Sequence, residues 1–338
     1  MKTLDLTTDE RVLILYQKIE DYKRATIEIE ADLRDDEPID ADLYQTFYSK
    51  ALAIVYLLHD ILGDNSSLSK EEKTELGAHI QREIIPIILQ TDTTSRFYTK
   101  PLGYAGDYLV LEMIYNDRES GSTLLGRVVD RMHLDASTSK AVKNRRKLLA
   151  DELLAAFENG NREPLSIMCI SSGPAREIFD LLKNVGADAS KIHATLIDFD
   201  TEALGFCEKW RNENGWQNQI DLVQETILNL IAGRSKVQIA PQDVVYSIGL
   251  IDYFQEKHVV KLLNYIHSIL KPDGKVILGN FYKDNVFKEY MDSVLEWRLI
   301  HRDETDMNRM LQQSKFGKSG RIFFEGERMN MFVECVKN

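Results

Sequence analysis

From Pro164 onward the chain alternates short apolar runs with amphipathic segments, and few folds accept that rhythm. LSIMCIS (165–171), HATLIDFD (193–200), IDLVQETI (220–227), QDVVYSIGLI (242–251) and KVILGNF (275–281) have the length and composition of buried strands. Between them stand EIFDLLKNVGAD, TEALGFCEKWRNENGW and EKHVVKLLNYIHSILKPDG, each with helical spacing. Strands that run parallel need crossover helices, and such crossovers are right-handed, so the pattern predicts a doubly wound, mostly parallel α/β sheet. The tail RIFFEGERMNMFVECVKN adds a pair of strands, 321–326 and 329–336, around Gly326, which brings the sheet to seven.

Residues 1–160 follow a different rule. Val12, Leu13, Leu15, Tyr16, Ile19 and Tyr22 recur at three-to-four spacing, as do Leu43, Phe47, Leu52, Val55 and Leu58. A third helix carries Leu76, Ile80, Ile84, Ile85, Ile87 and Ile88, with Pro86 expected to bend or split it. VKNRRKLLADELLAAF (142–157) is a fourth, closed by Glu158-Asn159-Gly160. With 338 residues the chain fits two units of about 150 each, so the reading is an all-helical domain, 1–160, and a sheet domain, 161–338.

Composition narrows the function. A net charge of −12 argues against a protein that tracks nucleic-acid phosphates. Cys169, Cys207 and Cys335 are far apart and form no CxxC pair, the usage of free thiols in a reducing compartment. The N-terminus shows no signal peptide and no stretch is long and apolar enough for a membrane span, so a cytoplasmic protein is expected. No His/Cys/Asp cluster has metal-ligand spacing, hence no metal is expected; the P-loop and GxSxG patterns do not occur.

In an open α/β sheet, ligands bind beyond the carboxyl ends of the strands. After the first strand come Ser171-Ser172-Gly173-Pro174-Ala175-Arg176, with small residues at 171, 173 and 175 that let a ligand approach the backbone beside a helix N-terminus. The second strand ends at Asp198, twenty-five residues beyond Gly173 and suited to the hydroxyls of a ribose; Phe199 follows, able to lie on an adenine ring. Asp200 reads as the cap of the next helix. Thr226 and Ile227 end the third strand and would edge the base, while Ser247 and Gly249 end the fourth.

Together ISSGPAR, LIDFD, VVYSIGLIDYF and ILKPDGKVILGNF resemble the motifs of class I S-adenosylmethionine (SAM) dependent methyltransferases, over residues 160–338. The first and third glycines of that family's loop are Ser171 and Ala175 here, both small enough to keep the cradle. A dinucleotide dehydrogenase would want the full GxGxxG against a pyrophosphate. The helical half, with KPLGYAGDY, AVKNRRKLL and NREPLSIMCISSGPARE, is similar to a bacterial subgroup labelled 3-hydroxypalmitic acid methyl ester biosynthesis proteins. It is also similar to azetidine-2-carboxylate synthases, methyltransferase-like enzymes with a helical lid that cyclise SAM.

The resemblance implies a Rossmann-like SAM domain under an N-terminal helical lid. Tyr104, Asp107 and Tyr108 would then close over the sulfonium, whose charge aromatic faces stabilise by about 0.5–2 kcal/mol each. Of Asn144, Arg145, Arg146 and Arg176, Arg145 is the choice for the SAM carboxylate. Tyr253 and Tyr282 stand where an acceptor would sit, whereas His193, His258 and His267 read as structural. The function expected is methyl transfer to a small-molecule or lipid-like acceptor. The alternatives are a SAM cyclase, in which the α-amine attacks Cγ and releases methylthioadenosine, and a non-catalytic SAM-binding protein. A homodimer stays open.

Overall fold

The structure, a computed structural model, describes residues 9–31, 38–160 and 164–338. Residues 161–163, part of the NREPLSIM motif, and residues 1–8 of the N-terminus lie outside the described residues. The chain divides into two units: a helical one, running up to Ser139 and including Asn285–Arg298, and a sheet unit of Lys140–Asp284 with Leu299–Asn338.

The helical unit begins with α1 (Glu10–Glu30), α2 (Ala41–Leu62), α3 (Lys70–Ile88), α4 (Asp92–Thr99), α5 (Tyr108–Asn116) and α6 (Leu124–Asp135). Each starts where an Asp, Ser or Thr side chain accepts an otherwise unmet first-turn N–H: Asp9, Asp40, Ser69, Thr91, Asp107 and Thr123. The apolar stripes predicted for α1 to α3 are buried at Val12, Leu15, Ile19, Phe47, Val55, Leu58, Leu76, Ile80 and Ile84, but Leu13 faces solvent. Pro86 does not split α3. It lies in the last turn, and the helix runs on to Ile88.

Helix α7 (Ser137–Asn159) carries the chain into the sheet unit. The boundary expected at residue 160 therefore falls some twenty residues earlier, between Ser139 and Lys140. The cause is hydrophobic: Leu149 and Leu153 belong to the core on one face of the sheet.

That sheet comprises β1 (Leu165–Ile170), β2 (Ile192–Asp198), β3 (Ile220–Gln224), β4 (Gln242–Ile248), β5 (Leu270–Phe281), β6 (Arg321–Phe324) and β7 (Asn330–Val336). Its order is 3-2-1-4-5-7-6, with β1 to β5 parallel and β7 antiparallel to both neighbours. The helices between strands are α8 (Arg176–Val185), α9 (Thr201–Glu213), α10 (Ile227–Ile231) and α11 (Glu256–Ile269). Farther on come α12 (Lys288–Ser293), in the segment that belongs to the helical unit, and α13 (Glu304–Gln313). Alternation along each strand sends Ile167, Cys169, Val244 and Tyr246 to one core, and Met168, Ile170, Val245 and Val276 to the other. Strand order reverses between β1 and β4, which opens a crevice at their carboxyl ends.

Truncating Leu153, which is fully buried, should lower stability by about 2–5 kcal/mol. Trp210 and Trp216 pack against Phe179 in the same core and report the transition by fluorescence. An unchanged urea midpoint for Leu153→Ala would remove the second half of α7 from that core.

Candidate functional site

The carboxyl edge of the sheet is built around one carboxylate. Asp198, at the end of β2 and buried, accepts the Gly173 N–H at 2.8 Å through Oδ2 and the Asp200 N–H at 3.0 Å through Oδ1. It thereby fastens the loop after β1 to the turn after β2. Burial pushes its carboxyl up from the ordinary aspartate range, and the Asp200 and Gly173 N–H groups oppose the shift.

The loop itself takes the backbone of three glycines although it contains one. Ser171, Gly173 and Ala175 all have positive φ, at 54°, 50° and 46°. For a residue with a Cβ that region costs about 1–2 kcal/mol. Ala175 is also the N-cap of α8 and offers no side-chain acceptor, whereas Asp200 caps α9 and Thr226 caps α10. The first N–H groups of α8 thus lack the side-chain acceptor that α9 and α10 have. Beside them the buried Ser172 hydroxyl has no hydrogen-bond partner among the described residues.

Arg145, on α7, reaches the end of β4. Its Nη1 and Nη2 lie 3.5 Å from where a Cβ on Gly249 would stand, and Gly249 has φ +89°. The side chain is 5% exposed, its Nε has no partner, and it makes no ion pair among the described residues. The neighbouring candidates are engaged: Arg146 forms a two-point pair with Asp180 at 2.6 and 2.8 Å, and Arg176 stacks on Trp210 at 3.9 Å. Asn144 donates to Glu325, the carboxylate that accepts three N–H groups of the β6–β7 turn.

Other expected residues occupy a range of places. Ser247 turns its hydroxyl into the sheet and donates to the Ile170 carbonyl at 2.7 Å. Thr226 spends its hydroxyl on the Asn229 N–H. Phe199 (50% exposed), Leu228 (52%) and Tyr253 (41%) stand out because all three follow strand ends on this edge. Ile227 packs against the core behind them. Tyr282 extends from β5 with its hydroxyl 3.2 Å from Glu304 and its ring edge-on to Phe324. Tyr104, Asp107 and Tyr108 belong to the helical unit. Asp107 there is fully buried, caps α5 through the Leu109 and Val110 N–H groups, and pairs with Arg96 at 2.9 Å. His193 pairs with Asp221 on the surface, and His267 packs on Phe316. Among the described residues no group of His, Cys, Asp and Glu could hold a metal, and no helix is long and apolar enough to cross a membrane.

Four buried polar residues on this edge escaped the sequence. Glu177, in the first turn of α8, accepts the Tyr246 hydroxyl at 2.8 Å, and burial pushes its carboxyl up. Asp252 accepts the Phe281 N–H at 2.7 Å; burial pushes it up to about 6, against that N–H and the charges of Arg145 and Arg302. Arg302 donates to the carbonyls of Ile251 and Phe254 and to Asn280, so it holds the turn after β4. Asp252 had a signal, since it lies within the IDYF run. Arg302 and Asn280 had none, because their partners are distant in sequence.

Residues 103–284 match the model of a family described as "Putative methyltransferase", more than half of the chain. The chain belongs to this family. Its sheet unit has the class I methyltransferase fold. The match begins at Gly103, the first residue of GYAGDY, and so includes α5 to α7 along with most of the sheet. No curated protein matches the sequence. Among solved structures, a possible exported protein of Bordetella parapertussis is 14% identical over 98% of both chains, with a TM-score of 0.54. The SAM-dependent methyltransferase SibL is 16% identical over 96% of each chain, TM-score 0.47. The magnesium protoporphyrin IX methyltransferase of Synechocystis, with bound S-adenosylhomocysteine, is 14% identical over 60% of this chain and 87% of its own, TM-score 0.44.

Because Ser171 holds a left-handed backbone, Ser171→Gly should stabilise the protein by about 1 kcal/mol. Chemical denaturation measures this, and a destabilised variant would show that the hydroxyl matters more than the backbone.

Proposed function

We propose that this protein is a SAM-dependent methyltransferase for a small-molecule or lipid-like acceptor, with SAM along the carboxyl ends of β1 to β4. The observation that carries the reading is Arg145, a buried guanidinium without a hydrogen-bond partner among the described residues. Such a charge is costly alone and favourable once a carboxylate pairs with it. Asp198 takes the ribose hydroxyls, and Phe199 lies against the adenine with Thr226, Ile227 and Leu228 at its rim. The backbone at Ser171, Gly173, Ser247 and Gly249 lets the cofactor approach closely.

SAM supplies a methyl group on a sulfonium. The chain holds the two ends of that molecule, excludes water and aligns an acceptor, so its contribution is positioning and electrostatics. Tyr253 and Tyr282 serve the acceptor. Tyr104 and Tyr108 support the sulfonium, a role that rests on their sequence pattern and on a family match that starts at Gly103. Asp107 serves the same segment by holding its fold through the α5 cap and Arg96.

S-Adenosylhomocysteine should bind with micromolar affinity, about −8 kcal/mol. Arg145→Leu should weaken it by about 2–3 kcal/mol while leaving the ligand-free protein at least as stable, because the variant removes an unpaired buried charge. Calorimetry and urea unfolding together decide: lost stability with unchanged affinity would make Arg145 a structural ion. Incubation with SAM alone tests the reaction. Methylthioadenosine formed without an acceptor would replace methyl transfer by cyclisation.

A further inference from the structure

We infer that Arg302 is the positioning residue of the acceptor side: it locks the turn after β4, so that Tyr253 is presented in one place. What Tyr253 then does for an acceptor rests on the methyltransferase reading. That Arg302 sets its place does not.

In the 3-10 turn Ile251–Tyr253, Ile251 and Asp252 are buried and Tyr253 alone stands out, 41% exposed. The turn itself supplies the bonds from the Tyr253 N–H to the Leu250 carbonyl at 3.1 Å and from the Phe254 N–H to the Ile251 carbonyl at 3.0 Å. Such short 3-10 segments have poor hydrogen-bond geometry, so this one needs outside support. Residues 300–302 provide it. Arg302 Nη1 donates to the Ile251 carbonyl at 2.8 Å and Nη2 to the Phe254 carbonyl, so one guanidinium grips the backbone on both sides of Tyr253. Between them the Ile300 N–H donates to the Asp252 carbonyl at 2.7 Å.

Arg302 is itself held. Asn280, fully buried near the end of β5, accepts Arg302 Nη1 at 2.6 Å and donates to the Phe281 and Ile300 carbonyls at 2.7 and 2.9 Å. The Arg302 N–H reaches the Phe281 carbonyl at 3.1 Å, and the Phe281 N–H donates to the Asp252 carboxylate at 2.7 Å. The end of β5, the turn after β4 and residues 300–302 thus form one knot inside the sheet unit. Chain continuity does not make it, because after Asp284 the chain passes into the helical unit and returns at Leu299.

Arg302 is 4% exposed, and each acceptor it uses is an amide oxygen, not a carboxylate. Burying a cation on such partners is costly, and an apolar side chain would serve stability as well. What the guanidinium adds is a planar fork whose donors point in fixed directions, which neither a lysine nor a hydrocarbon offers. The knot gives up stability for geometry at Tyr253.

Fluorine NMR of the full chain labelled with fluorotyrosine tests this, with the Tyr253 line assigned by its loss in Tyr253→Phe. Tyr246 is the control, since it lies on β4 before the turn and its hydroxyl is held by Glu177. Arg302→Lys keeps the cation and loses the fork. Its Tyr253 line should broaden about twofold or more as the turn samples several conformations, while the Tyr246 line stays as it was. Arg302→Gln, which keeps a donor and removes the charge, should give the same result. An unchanged Tyr253 line in either folded variant would overturn the inference. So would both tyrosine lines changing together with a lower urea midpoint, or the failure of both variants to fold, since Arg302 would then be an ordinary structural residue. Calorimetry of the wild type with S-adenosylhomocysteine keeps the two claims apart: absence of binding would defeat the methyltransferase reading, whereas the ligand-free spectra decide the role of Arg302.

Discussion

The hydrogen bond from the Gly173 N–H to the Asp198 carboxylate is the constraint on which the carboxyl edge depends. It joins the loops of two neighbouring parallel strands and fixes where the backbone after β1 turns. Ser171 and Ala175 accept a left-handed conformation there despite their side chains. Such strain persists where the surroundings over-determine it. Cys207 donates to the Gly173 carbonyl at 3.3 Å and Ser172 N–H to the Ile197 carbonyl at 3.0 Å, so the loop is held from both sides. Around the loop, among the described residues, α8 has no side-chain cap, the Ser172 hydroxyl has no partner, and Arg145 on α7 has no acceptor for its Nε.

Most of the sheet was legible because parallel strands buried on both faces read as continuous apolar runs. β1, β2, β4 and the hairpin lie within a few residues of where the runs placed them. The strand after KPDG begins earlier than expected, at Leu270, with a register shift opposite Gln242 and Val244. Polar residues there hid it. The helical half was legible where a stripe is apolar. It was misjudged at Leu13, which follows the buried Val12 in sequence but is itself exposed.

The segment Asn285–Arg298 shows what periodicity cannot reach. It joins the helical unit through side chains far off in sequence: the Tyr290 hydroxyl shares a hydrogen bond with His133 Nε2 at 3.0 Å, Glu289 meets His59 at 2.8 Å, and Trp297 packs on Phe97. His133 donates its Nδ1–H to the Val129 carbonyl, and burial pushes the imidazole below its ordinary pKa range. At the candidate site the same limit applies. The positions of Asp198 and Phe199 at the end of β2 were legible from the strand pattern, whereas the hydrogen bonds of Ser247 and Thr226 emerged only from their partners. That Arg146 is engaged by Asp180 and Arg176 by Trp210 could not be read from the sequence, because no local pattern links these residues.

The central claim is that one SAM-shaped ligand spans the edge from Asp198 to Arg145. A crystal structure of the protein with S-adenosylhomocysteine tests it most directly. The account predicts ribose hydroxyls within hydrogen-bond distance of the Asp198 carboxylate and the ligand carboxylate on the Arg145 guanidinium. Ligand density away from the carboxyl ends of β1, β2 and β4, or a ligand there with Arg145 still unpartnered, would contradict it.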